Sequence, residues 1–138
     1  MSTHFLDISA ALDTNLNTFA TDNSIPVAWE NIDYKPTVGT LFVRPTLLPA
    51  DTAPIGISYI SALDHLGVYQ VDVIAPLDGG KGQAILKADL LATAFPRGDL
   101  IYNSKIVRIK STSRSAGVRD GAYYIVSVII NYQSITGN

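Results

Sequence analysis

Cysteine is absent from these 138 residues. That excludes a disulfide scaffold and any thiolate metal site. Histidine is scarce: His4 and His65 stand far apart in the chain and cannot form a zinc cluster alone. Charge is sparse as well. Asp, Glu, Lys and Arg make up 16% of the chain, against about 25% in ordinary soluble domains. The net charge of −2 gives no field that steers the chain to nucleic acid or an anionic membrane. No run approaches the ~20 apolar residues of a membrane span. The opening MSTHFLDISAAL has neither the basic start nor the long apolar core of a signal peptide. A protein made and kept in a cytoplasm-like compartment is the expectation.

What is present is apolar. Hydrophobic residues reach 47%, and a chain of this length buries roughly two-thirds of its unfolded surface in one domain. Residues 1–138 read as that single domain, with no repeat, heptad or interdomain linker. So few charges cannot dress the surface of a solitary domain, which points to an oligomer or a larger assembly.

Periodicity assigns the elements. Phe5, Ile8, Leu12, Leu16 and Phe19 recur at helical spacing, and the Thr21–Ser24 cluster and Pro26 end the helix. TLFVRPTLL (40–48) is extended, and Pro45 demotes it to an edge or bent strand with ladder groups free for a neighbour. IGISYISA (55–62) alternates, and DHLG (64–67) reads as a hairpin connection into GVYQVDVIAP (67–76). There Tyr69, Val71, Val73 and Ala75 face one way and Val68, Gln70, Asp72 and Ile74 the other. LDGGKG (77–82) is a turn into a second helix, 83–95, with Ile85, Ala88, Ala92 and Phe95 on its stripe. SKIVRIK (104–110) alternates. STSRSAGVRDG (111–121) reads as a long polar hairpin loop. AYYIVSVIINY (122–132) is the most β-prone run and is expected at the centre of the sheet, packed on both sides. The fold class is α+β, two helices packed on an antiparallel or mixed sheet.

The chemistry that such a chain could carry is thin. Asp72 has no second carboxylate on its strand face, so a solvated or interface Asp outweighs a general acid or base. DGGKG fails the P-loop pattern, because Gly82 and Gln83 follow Lys81 where a hydroxyl is required. His65 belongs with the hairpin turn, and His4 near the terminus is expected to be exposed. Trp29, in PVAWEN, either plugs the core or anchors an interface. Arg114 and Arg119 are loop charges, solvated or reaching a neighbouring subunit.

PVAWEN (26–31), PTVGTLFVRPTLLPA (36–50), GVYQVDVIAPLDGGKGQAILKADLLATAF (67–95) and the final strand at 121–128 come in an order that resembles tail-terminator-like proteins of tailed bacteriophages. Two features depart from that pattern: Tyr123-Tyr124 stands where a Trp-Tyr pair is expected, and the 111–121 stretch matches no signature. The resemblance implies a non-enzymatic virion part with no cofactor. It implies a ring, commonly a hexamer, that caps the tail tube, stops its elongation and meets the head. Its partners would be copies of itself, the tail tube protein and head–tail connector proteins, with no nucleic-acid sequence recognition and no membrane. Its place would be the virion tail, after assembly in the host cytoplasm. Arg44, Asp72, Arg114, Arg119 and Trp29 are the candidate subunit or tube contacts. Two alternatives stay open: another ring-forming neck or tail-completion protein, and a small α+β ligand-binding domain.

Overall fold

The computed structural model describes residues 4–36, 39–50, 53–54, 63–76, 81–102 and 105–136. Helix α1 spans His4–Asp22 and helix α2 Gly82–Ala94. The strands are β1 (Phe42–Pro49), β2 (Ala53–Pro54), β3 (Leu63–Pro76), β4 (Gly98–Tyr102), β5 (Lys105–Arg114), β6 (Val118–Asp120) and β7 (Tyr123–Thr136). They form one antiparallel sheet in the order β1-β3-β7-β5-β4, with β2 on β3 and β6 on β7. This is the expected α+β architecture, with β7 at its centre.

Alternation sorts the sheet into two faces. Tyr69, Val71, Val73 and Ala75 of β3 lie opposite Ile130, Val128, Val126 and Tyr124 of β7, and Val107 and Ile109 of β5 continue that face. All but Tyr124 are buried. Against them α1 sets Ile8, Leu12, Leu16 and Phe19, and α2 sets Ala84, Ala88 and Leu91. Each Leu, Ile or Val fully buried at this seam contributes about 1.5–3 kcal/mol. The outer residues of β7, including Tyr123, Ile125 and Ile129, are half-buried.

Both helices keep most of the expected stripe and depart from it at its first residue. In α1 the first buried position is His4, four before Ile8, and Phe5 is half exposed. In α2 the sheet is met by the small residues Ala84 and Ala88, which let the helix approach closely, while Ile85 turns outward.

The strands depart from expectation at three places. Residues 64–67 are not a hairpin connection: β3 runs through them and pairs with Ile135 back to Tyr132 of β7. Residues 111–121 are not a long loop. β5 continues to Arg114, three residues intervene, and β6 pairs with β7 again, so that the stretch is one interrupted strand. The true turn is Gly121-Ala122, since Asp120 pairs with Tyr123. Gly121 has φ +58° there, the first central position of a type II′ turn. Third, β4 forms where only the end of α2 was expected. The proposed strand at 55–62 and the turn at 77–80 lie outside the described residues.

β1 is an edge, as Pro45 predicted, but its outer ladder is partly taken by its own chain. Val43 donates its N–H to the Pro26 carbonyl at 3.1 Å and accepts from Ala28 at 2.8 Å, and the Leu47 N–H meets Glu30 Oε1 at 3.2 Å. Among the described residues, β4 pairs with β5 alone and is the open edge.

Candidate interaction surfaces

The outer sheet face carries a polar row across its middle. Register sets Arg44 of β1, Asp72 of β3 and Ser127 of β7 side by side. Arg44 Nη2 donates to Asp72 Oδ2 at 3.0 Å; Gln70 Nε2 and Ser127 Oγ donate to Oδ1 at 3.0 and 2.6 Å. Asp72 therefore lies on the expected face but is not solvated: it is 6% exposed. Its partners cover it, and three donors on three strands occupy its two oxygens. The row continues through Ser115, whose Oγ accepts from the Ser127 N–H and whose own N–H donates to the Ser127 carbonyl.

At the start of α1 a second polar cluster is buried. His4 is 4% exposed, not a loose terminal residue, and its ring stacks on His65 with centroids 4.6 Å apart. Ser134 Oγ gives its proton to the Ile106 carbonyl at 2.6 Å, so His4 Nε2 is the donor in the 2.8 Å bond to that oxygen. Asp7 pairs with Lys105 at 3.2 Å. Burial above all, then the charges of His65 and Lys105, hold His4 below the usual imidazole range, against the pull of Asp7. His65 stands in β3, not in a turn.

Farther along α1, Tyr69 donates to Asp13 Oδ1 at 2.5 Å and ties β3 to the helix. Burial pushes the Tyr69 phenol far up, helped by the Asp13 charge and bond. Burial also raises Asp13; the Tyr69 bond opposes this and Glu30 adds to it.

The five candidate contact residues do not gather at one place. Arg44 and Asp72 hold each other. Arg114 pairs with Asp89 on α2, which draws it onto the helix side. Arg119 is exposed on β6. Trp29 is half-buried: it packs against the core and also lines a groove. The core reading of that Trp thus describes part of its position.

Sequence reasoning missed the apolar surface. Ile101 of β4 lies opposite Ile106 of β5, and Ile135 of β7 joins Ile106 in one depression of the outer face. They are 73%, 49% and 51% exposed. On α2, Ile85, Leu86 and Leu90 point away from the sheet. The signal was present in SKIVRIK, where Ile106 shares a parity with Arg108 and not with Val107.

Concavities lie at both ends of the sheet. One, of about 760 Å³, runs between α1, the Trp29 segment and Pro45. Asp13 and Glu30 are the charged residues lining it. The other, of about 520 Å³, lies at β4 and β5, and its charged residues are Arg97, Arg108 and Lys110. Among the described residues no three His, Asp or Glu side chains stand where they could hold one metal ion, and no helix is long and apolar enough to cross a membrane.

A family model described as phage tail terminator protein matches residues 7–132. One solved structure shares the fold at a TM-score of 0.77 with 25% sequence identity, and 92% of each chain is covered. A search of curated proteins finds no match.

Proposed function

Because the chain belongs to the phage tail terminator family, a family of structural tail proteins, we propose that its copies close into a ring on the end of the tail tube. That ring stops the tube from elongating and offers the surface on which the head is joined. The observation that carries the reading is the family match, which spans nearly the whole described fold.

Physical features support it. A subunit meant to be enclosed can leave its surface poorly charged, and this one does. It leaves isoleucines standing on an outer sheet face that, among the described residues, no helix covers. Its β4 edge offers backbone donors and acceptors to another chain, without the Pro or bulge that commonly blunts such an edge. A hexamer is the size the reading favours. Rings of this kind need contacts that are different on the two sides of each subunit and that close by rotation.

The test is solution mass by light scattering across a concentration series, with grids of the heaviest fraction. A single multiple of the 14.8 kDa chain with ring-shaped particles is the expected result. A monomer at every concentration, with no rings on tube ends, contradicts the proposal.

A further inference from the structure

We propose that neighbouring copies of this chain join head to tail through the two concavities. The acidic groove beside Trp29 on one copy receives the basic, isoleucine-bearing rim at β4–β5 of the next. This inference rests on the ring reading and goes further by naming both contact surfaces and their pairing.

The two surfaces complement each other in charge. Among the described residues, the charged ones lining the groove between α1 and Trp29 are Asp13 and Glu30, and those lining the β4–β5 cleft are Arg97, Arg108 and Lys110; Arg44 lines the adjoining concavity on the β1 side of Trp29. Arg108 is partly answered by Asp99 at 3.1 Å, which leaves Arg97 and Lys110 as the exposed cations that reach outward. Glu30 is exposed at the groove mouth, one residue from Trp29. With net charge so low elsewhere, two clefts of uniform and opposite sign on one small chain form a directed pair.

Both surfaces are also apolar enough to be worth covering. Leu6 and Ile32 line the groove at 65% and 64% exposure, and Trp29 adds a half-buried indole of the kind that anchors interfaces. Beside the basic cleft stand Ile101, Ile106 and Ile135, and the unpaired edge of β4. Apolar centres rimmed by charge are the usual anatomy of a specific contact.

Position completes the argument. The groove lies on the helix face over β1, through Pro45. The isoleucine row lies on the outer face at the other end of the strand order. One chain can therefore engage both neighbours at once. A two-fold contact could pair groove with rim only if both shared one patch; here they lie on opposite faces and at opposite ends of the strand order, so a two-fold axis through either would set like charge on like. Only the heterologous pairing brings opposite signs together, and heterologous pairing is what generates rings.

The experiment uses two charge-reversed chains, Glu30→Lys and the double variant Arg97→Glu/Lys110→Glu, each checked for native circular dichroism. Neither touches the core. Each alone is expected to associate at least about tenfold more weakly than wild type. Mixed in equal amounts they should recover assembly, because in an alternating ring each contact pairs either the two reversed surfaces or the two native ones, with opposite signs facing at all of them. Recovery on mixing cannot come from misfolded chains. If wild type forms rings and either variant associates equally well, or if the mixture is no better than its components, the pairing is overturned while the ring reading stands. A wild type that stays monomeric at about 1 mM and on tube ends overturns both.

Discussion

Asp72 joins three strands through one carboxylate, and its replacement tests how much that row contributes. Asp72→Ala strands the Gln70 and Ser127 donors and leaves Arg44 without its partner. A loss of about 2–3 kcal/mol in urea unfolding is expected. Arg44→Ala should cost less than about 1 kcal/mol, because that side chain is half exposed and its pair is screened. Equal losses from the two would contradict the view of Asp72 as the hub. His4 makes a pH-dependent contribution with a definite sign. Its folded pKa lies below the ordinary 6.5, so the unfolded chain binds the proton more readily. Stability is full above about pH 6.5 and falls as pH drops below it toward the folded pKa. The difference in unfolding free energy between pH 7.5 and pH 5 should shrink in His4→Gln; an unchanged difference would remove His4 from the account. Strand parity in the sequence gives the face of Asp72. Two of its three partners lie 28 and 55 residues away, and only the strand register brings those two near. His4 looks terminal and exposed when Phe5 is taken as the first residue of the stripe. The spacing 4, 8, 12, 16, 20 is equally good and is the one that folds.

Among the elements, long periodic segments were the legible ones: both helices, β3 and β7 stand close to where spacing places them. Missed strands are short or carry no apolar alternation of their own. STSRSAGVRDG looks like a loop because its side chains are small and polar, yet β7 offers a partner along most of its length. The Asp120-Gly121 pair was the available signal for the turn. Gly121→Val should cost about 1–2 kcal/mol, since φ +58° is strained for a β-branched residue. Faster amide exchange across β6 and the start of β7 is the local readout. Unchanged exchange there would argue against a type II′ hairpin. β4 has a weak signal in the sequence because it is short and starts two residues after Pro96. On α2 the sequence stripe opens with Ile85, whereas Ala84 takes that place on the sheet, because close helix–sheet packing favours a small side chain at the contact.

For the molecule as a whole, one core lies between two helices and one sheet face, and among the described residues the other face has no second layer. A sheet with this much apolar surface left open is suited to a place among neighbours. Low charge hinted at that from composition alone, but composition does not say where the contacts lie. The order of PVAWEN, TLFVRPTLL and GVYQVDVIAP pointed to the family that the match over residues 7–132 establishes. The contact surfaces needed three dimensions: Glu30 and Asp13 are far apart in sequence, as are Arg97 and Lys110, and each pair shares a concavity only through the fold. The most direct measurement is the length distribution of tail tubes polymerised with and without this chain, counted on electron micrographs. The account predicts that added chain arrests elongation and leaves a ring at the tube end. Tubes that grow to the same lengths, with bare ends, at saturating amounts of the chain would contradict it.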